Sequence, residues 1–127
     1  PVVSSAASDV YKRQEFVVRN IWRMYGGWWD ADPASLKPSP RVDLAKELSV
    51  LAGGAKQLAD RAKFLAEEGD LRLSCHLIEF AALAEPDNKE IHGIRAGIYR
   101  IRRSQESSLM SKGIFAAAMR ESENITD

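Results

Sequence analysis

The chain has 127 residues, 45% of them apolar and 28% charged, and its 18 Lys and Arg balance its 18 Asp and Glu. This length suffices for one domain with a hydrophobic core and is short for an enzyme of several domains. The zero net charge disfavours a nucleic-acid partner held by phosphate contacts, and no apolar run approaches the roughly 20 residues that a membrane span needs.

The first 41 residues differ in character from the rest. Residues 1–14 (PVVSSAASDVYKRQ) are small and polar and lack the apolar core of a signal peptide, so we expect an appended or disordered segment. Residues 15–41 contain WRMYGGWWDADP, where three tryptophans and a tyrosine surround a glycine pair. Such side chains combine a large apolar area with one polar group, so we predict that residues 15–41 form a linker or seam between domains.

Helical periodicity begins at Val42. Apolar side chains then recur at alternating spacings of four and three, the pattern of one stripe along a helix: Leu44, Leu48, Leu51, Ala55, Leu58, Ala62 and Leu65. Gly53 and Gly54 interrupt the stripe, because each glycine disfavours a helix by roughly 1 kcal/mol relative to alanine. We therefore predict a short helix that ends near Leu51 and a second one over Ala55–Glu68.

Three further helices are predicted after the Gly-Asp turn at residues 69 and 70. The first spans Leu71–Ala84 and is followed by Pro86. The next is capped by Asp87 and reaches about Arg103, and the last runs from about residue 106 to 122. Period-two alternation is absent, so the sequence predicts an all-α domain over residues 42–123, with residues 124–127 as a truncated tail.

A faint internal repeat predicts how the helices are arranged. RAKFL at residues 61–65 and RAGIY at residues 95–99 lie 34 residues apart, which is the period of tetratricopeptide helix pairs. We therefore predict antiparallel helix pairs in a stacked, tetratricopeptide-like arrangement. About two such pairs leave both ends of the stack uncovered, so some apolar surface should meet another domain or subunit.

Few side chains suit catalysis or metal binding. The two histidines, His76 and His92, do not have a metal-ligand spacing, so we expect ordinary helix residues, with His76 able to pair with Glu79. Cys75 is the single cysteine, which excludes an internal disulfide, and we expect it to be a small buried side chain.

A basic cluster occupies the fourth predicted helix: Arg95, Arg100, Arg102 and Arg103. We expect a solvated face that pairs with Glu67, Glu68 or Asp70, with a site for an anion or an acidic partner as the alternative. A basic helical nucleic-acid binder is disfavoured by the zero net charge.

Four sequence blocks occur together and in order: YGGWWD-x-x-P, LAGGA, GD-x-RL-x-x-HL and the final GIF. With them, residues 16 to about 123 closely resemble the helical dimerisation domain of metallo-β-lactamase-fold alkyl sulfatases. Each block is weak by itself, whereas the ordered combination is specific.

The resemblance implies a three-part enzyme. An N-terminal metallo-β-lactamase domain would hold two zinc ions and activate a water that cleaves a sulfate ester. The helical domain would pair two subunits, and a C-terminal sterol-carrier-like domain would offer an apolar surface to the alkyl chain. The family's His-x-His-x-Asp-His zinc motif is absent from this sequence. We therefore expect a homodimerising fragment that binds no cofactor and is inactive by itself.

The resemblance also implies an Arg and a Tyr near the sulfate. Arg19 and Tyr25 are the candidates, with Arg23 as the alternative guanidinium, and Trp28 and Trp29 would flank the alkyl chain. A purely structural seam is the other interpretation of these aromatics. Dimer contacts or packing are expected from a set of apolar residues: Leu44, Leu48, Leu51, Leu58, Leu65, Ile114 and Phe115.

A second function stays open at this point, a stand-alone tetratricopeptide-like module that binds a peptide in its groove. We expect a soluble protein without a signal peptide or a membrane span, while the compartment and the preferred ester stay undetermined by the sequence.

Overall fold

Five α-helices follow one another along the chain in the computed structural model, which describes residues 30–127. They are α1 (Arg41–Ala52), α2 (Ala55–Glu67), α3 (Leu71–Ala84), α4 (Lys89–Ser104) and α5 (Leu109–Thr126). A 3-10 turn, Pro33–Ser35, precedes them, and the Asp32 carboxylate accepts a hydrogen bond from the Ala34 N–H at 3.0 Å. All five helices belong to the unit Ser39–Asp127, and the turn belongs to the unit that ends at Pro38.

The predicted all-α class is confirmed for residues 30–127, which contain no strand. The tetratricopeptide-like stacking stays a prediction. The aromatic residues of the predicted seam before Asp30 lie outside the described part of the chain.

Glycine and aspartate separate the first three helices. Gly53 ends α1 with a φ of 92°, a left-handed conformation that glycine adopts without strain. The Gly54 N–H donates to the Ser49 carbonyl at 2.7 Å, which satisfies one of the free carbonyls at the helix end. At the start of α3 the Asp70 carboxylate accepts from the Leu73 N–H at 3.2 Å.

The prediction that Asp87 caps the fourth helix is wrong. Asn88 is the cap, because its side-chain oxygen accepts from the N–H of Glu90 at 3.0 Å and of Ile91 at 3.2 Å. Asparagine and aspartate are equally good caps, so which of two neighbours caps depends on where the preceding turn places the chain.

The last helix also begins later than predicted, at Leu109 rather than near Glu106. Ser108 caps it by accepting from the Ser111 N–H at 3.3 Å. The helix continues beyond Ser122, the predicted end, because Ser122 is fully buried against the preceding helix.

The hydrophobic core lies among α2, α3 and α4, where Ile78 and Ile91 are its largest fully buried side chains. Alanines make up much of the rest, and such small side chains let helix surfaces approach closely. α1 packs against α2 and α3, whereas α5 contacts only α4 among the five helices. α1 and α5 are therefore the outer helices, each with one face that no other helix covers.

Candidate self-association surface

The outward face of α5 is apolar along its first half. Leu109, Met110 and Ile114 are 84%, 78% and 63% exposed. Gly113 and Ala117 are exposed on the same face, because residues three, four and seven apart align along a helix. We call these five residues the α5 stripe. None of them is charged, so this face has the composition of a surface that another protein covers.

The opposite face of α5 packs on α4. The Phe115 ring stacks on the Tyr99 ring with centroids 5.8 Å apart, and the Arg102 guanidinium lies 5.1 Å from the Phe115 centroid. Ala116 is buried beside them. Phe115, one of the predicted dimer or packing residues, is therefore a packing residue, whereas its neighbour Ile114 points to solvent.

Behind the second half of α5 lies a buried polar network centred on Arg95, which is only 8% exposed. Its Nε donates to Glu79 at 2.8 Å, and one terminal nitrogen donates to Glu121 at 2.9 Å and to Ser122 Oγ at 2.8 Å. The Tyr99 hydroxyl donates to the same Glu79 oxygen at 2.7 Å. One guanidinium thus joins α3, α4 and α5.

This network corrects two expectations from the sequence. Arg95 does not belong to a solvated basic face, and its acidic partners are Glu79 and Glu121 rather than those around the Gly-Asp turn. Glu79 binds Arg95 and Tyr99 instead of pairing with His76, which is exposed. The sequence signal was weak, because these partners are 16 or more residues apart.

His92 extends the network to the start of α4. It is 5% exposed, with Nε2 at 2.7 Å from the Pro86 carbonyl and Nδ1 at 2.9 Å from Ser122 Oγ. A carbonyl only accepts, so Nε2 carries the proton, and Nδ1 accepts from the Ser122 hydroxyl. Ser122 Oγ in turn accepts from Arg95. All of these buried polar atoms have hydrogen-bond partners, so the geometry supports a structural role for His92.

Burial and the carboxylates shift the ionisation of this region. Burial, followed by the hydrogen bond to Glu79, raises the pKa of Tyr99 well above its ordinary value. Burial alone would lower the pKa of Arg95, but the hydrogen bonds and charges of Glu79 and Glu121 raise it overall. Burial also raises the pKa of the Cys75 thiol, which is half-buried rather than fully buried as expected. All three groups thus stay protonated at neutral pH.

α1 has a smaller exposed apolar area at its carboxyl end. Val50 and Leu51 are 74% and 82% exposed, and Leu44, two turns before Leu51 on the same face of the helix, is 47% exposed. Leu48, between them, packs partly against the core. The predicted stripe thus divides at the glycine pair: Leu58 is a core residue, whereas Leu44 and Leu51 lie at the surface. Leu65, also in that stripe, is half-buried.

A groove of about 600 Å³ runs between α2 and α4. Its floor is formed by apolar and glycine residues of α4, including Gly93, Ile94, Gly97 and Ile101. Six charged residues form its rim: Lys56, Asp60, Lys63, Glu67, Glu90 and Arg100. Lys56 of this rim joins the two helices, because its ammonium group lies 2.9 Å from Asp60 on α2 and 3.4 Å from Glu90 on α4.

The candidate sulfate and alkyl-chain residues, Arg19, Tyr25, Trp28 and Trp29, lie outside the described residues, as does the alternative Arg23. Within residues 30–127, no group of His, Cys, Asp and Glu side chains could hold a metal ion. This part of the chain therefore does not fit the two zinc ions that the resemblance implies. No helix in the same range is both long and apolar enough to span a bilayer.

The family described as "Alkyl sulfatase dimerisation" matches residues 3–124. The chain therefore belongs to the alkyl sulfatase dimerisation family, and the resemblance inferred from the sequence blocks is confirmed.

Similar proteins include alkyl sulfatases of yeast and bacteria. The alkyl/aryl-sulfatase BDS1 of Saccharomyces cerevisiae is 33% identical over 73 residues, which cover 58% of this chain and 11% of that protein. The (R)-specific secondary-alkylsulfatase of a Pseudomonas species is 29% identical over 79 residues, covering 62% of this chain and 12% of that protein. The chain thus spans only about a tenth of the length of these relatives.

A solved structure has the same fold. The stereoselective inverting sec-alkylsulfatase Pisa1 from a Pseudomonas species superimposes with a TM-score of 0.70 at 24% identity. The match covers 84% of this chain and 17% of that chain. At this identity the likeness concerns the helical fold.

Proposed function

We propose that this chain is the helical dimerisation and docking domain of a zinc-dependent alkyl sulfatase. It pairs two copies, while a metallo-β-lactamase-fold domain of the same polypeptide holds the zinc ions and hydrolyses the ester. The observation that carries the proposal is the family match over residues 3–124. Pairing of two copies would bring two catalytic domains into one particle.

Two features support this role. Within residues 30–127, the uncovered helices α1 and α5 carry the most exposed large apolar side chains, Val50, Leu51, Leu109 and Met110. The relatives named alkylsulfatase are several times longer than the part of them that this chain matches.

The proposed substrates of the whole protein are sulfate esters of alkyl alcohols, as the names of the relatives suggest. In the segment before Asp30, Arg19 or Arg23 and Tyr25 would donate hydrogen bonds to the sulfate oxygens. Trp28 and Trp29 would border the alkyl chain. In the full-length polypeptide we expect Tyr25→Phe and Arg19→Ala to lower kcat/KM for an alkyl sulfate, with Arg100→Ala as a surface control.

Two measurements on the present chain test the proposal. Sedimentation equilibrium over a wide concentration range should detect a monomer–dimer equilibrium. Incubation with zinc and dodecyl sulfate should release no sulfate above background. A chain that stays monomeric at every concentration contradicts the dimerisation role, and zinc-dependent hydrolysis by this chain contradicts the proposed division of labour.

The groove between α2 and α4 favours a second candidate function, a tetratricopeptide-like module that binds a peptide. Its floor is apolar and its rim is charged, as suits a peptide with both kinds of side chain. This function would replace the first if the chain proved monomeric and Gly97→Leu, which fills the floor, abolished capture of a peptide ligand selected from a random library.

A further inference from the structure

From Met110 to Ala117 the α5 stripe alternates large and small residues, so that its order read backwards places a small residue opposite each large one. Met110 and Ile114 project from the helix, while Gly113 and Ala117 leave space beside them. A Cβ added at Gly113 would meet no atom within 4 Å, so the surface over this glycine is open. One copy thus presents both the projections and the recesses that a second copy needs.

We propose that two copies pair through α5 as antiparallel helices, with the twofold axis between Gly113 and Ile114. In this register Met110 lies opposite Ala117 of the second copy, and Ile114 lies opposite Gly113 of the second copy. Met110 and Ile114 each meet a small residue, and the twofold repeats both contacts. This inference rests on the proposed dimerisation function and names the surface that performs it.

The absence of charge on the α5 stripe favours a second copy of the same stripe as the partner that covers it. The five residues carry no charge, so their burial leaves no ion without a partner. Lys112 is the nearest charge along α5, but it is half-buried and lies about 160° around the helix from both Met110 and Ile114, so it does not face the second copy. Arg120, the nearest fully exposed charge, lies about 10 Å along the axis from the twofold, so the two copies of Arg120 stay about 20 Å apart. Antiparallel pairing therefore brings no like charges together.

The other exposed apolar surfaces are less suitable for self-pairing. Val50 and Leu51 occupy the last turn of α1 and Leu44 lies two turns before Leu51, but Lys46 and Glu47, which are exposed, lie between them. The groove between α2 and α4 has six charged residues at its rim. Interface centres are depleted in charged residues, which leaves the α5 stripe as the best-suited surface.

The size of the stripe limits the strength of the pairing. The nine residues from Leu109 to Ala117 span roughly 13 Å of helix. One helix face of this length buries less area than the roughly 800 Å² per partner of a standard interface. We therefore expect the dimer of this chain to dissociate reversibly on dilution.

A charge-pair experiment tests the surface and its register together. Met110→Glu and Ala117→Lys, made singly, should each raise the dimer dissociation constant at least about tenfold. The double variant should return it to within roughly threefold of the unsubstituted chain, because the new carboxylate at position 110 then faces the new ammonium group at position 117 of the second copy. Within one helix these two positions are about 10 Å apart, so the recovery must be intermolecular.

The matched control combines Met110→Glu with Asn124→Lys, which adds the same charges outside the proposed contact. This control should not recover association. All three positions are exposed helix sites, so thermal unfolding of each variant, measured at dilution, should change little.

The outcomes separate the surface from the function. If the unsubstituted chain dimerises but the single variants dimerise equally well, the α5 pairing is wrong and the dimerisation function stands. If the single variants weaken association and the double variant does not recover it, the antiparallel register is wrong. A chain that is monomeric throughout overturns both this inference and the dimerisation function.

Discussion

Arg95 is the residue on which three helices converge. Its guanidinium reaches Glu79 on α3 and both Glu121 and Ser122 on α5 while it is itself nearly buried on α4. Buried polar groups that are fully paired hold neighbouring helices in one arrangement. Since α5 contacts only α4 among the helices, this network and the stacking of Phe115 on Tyr99 together fix the orientation in which the α5 stripe is presented.

Replacing Arg95 should therefore be costly. We expect Arg95→Met to lower the free energy of unfolding by about 2–3 kcal/mol, because Glu79 and Ser122 lose their charged donor in a poorly solvated site. Arg100→Met is the matched control, since Arg100 also lies on α4 and pairs with an α5 carboxylate, Glu123, but its side chain is 60% exposed. This control should cost at most about 1 kcal/mol. Equal losses in urea denaturation would contradict the central position of Arg95.

The raised pKa of Tyr99 makes part of the stability depend on alkaline pH. The folded state holds the Tyr99 proton more tightly than the unfolded state, whose phenol ionises at about pH 10. The contribution is thus complete below about pH 10 and declines as the pH rises above it. Tyr99→Phe should be less stable than the unsubstituted chain at neutral pH, and the difference should shrink above about pH 10. Parallel stability curves would refute this assignment.

At the scale of secondary-structure elements, glycines have opposite effects at a helix end and inside a helix. Gly53 ends α1 with a φ of 92°, which a residue with a side chain adopts only with strain. Gly97 lies inside α4, and a Cβ added there would meet no atom within 4 Å. The first glycine stabilises its turn, whereas the second weakens its helix.

Alanine substitutions should accordingly have opposite signs. Gly97→Ala should raise the free energy of unfolding by about 0.5–1 kcal/mol, since it reduces the entropy of the unfolded chain and favours the helix. Gly53→Ala should lower it by about 1 kcal/mol or more, because the left-handed turn is retained under strain. Thermal unfolding of both variants checks the pair, and a gain at Gly53 would show that the turn rearranges.

At the scale of the whole molecule, stability and association depend on different surfaces. The core lies among α2, α3 and α4, while the large exposed apolar residues are on the outer helices. Two isoleucines represent the two surfaces: Ile78 is fully buried, and Ile114 is 63% exposed. The same substitution should therefore have different consequences at the two positions.

We expect Ile78→Ala to cost about 2–4 kcal/mol of stability, because it leaves a cavity among three helices. Ile114→Ala should change the stability of the dilute monomer by at most about 0.5 kcal/mol while weakening dimerisation. Chemical denaturation at low concentration and sedimentation at high concentration distinguish the two effects. A large loss of monomer stability at Ile114 would mean that its exposed face packs within the same chain.

Sequence alone determined the helical class, the approximate positions of five helices and the family. These features depend on local patterns, such as the apolar period, the glycine pair before Ala55 and the Asp70 cap, which involve residues within a few positions of each other. The ordered blocks that identify the family are read in the same local way. Local patterns did not decide whether Asp87 or Asn88 caps α4.

Only the tertiary structure decided which side chains face inward. Leu51 and Leu58 belong to one sequence stripe, but Leu51 is 82% exposed and Leu58 is 9% exposed, because α1 and α2 turn apart at the glycine pair. Arg95 could not be distinguished from Arg100, since its partners Glu79 and Ser122 lie far away along the chain. Burial and ion pairing depend on contacts between distant segments, which a local pattern does not specify.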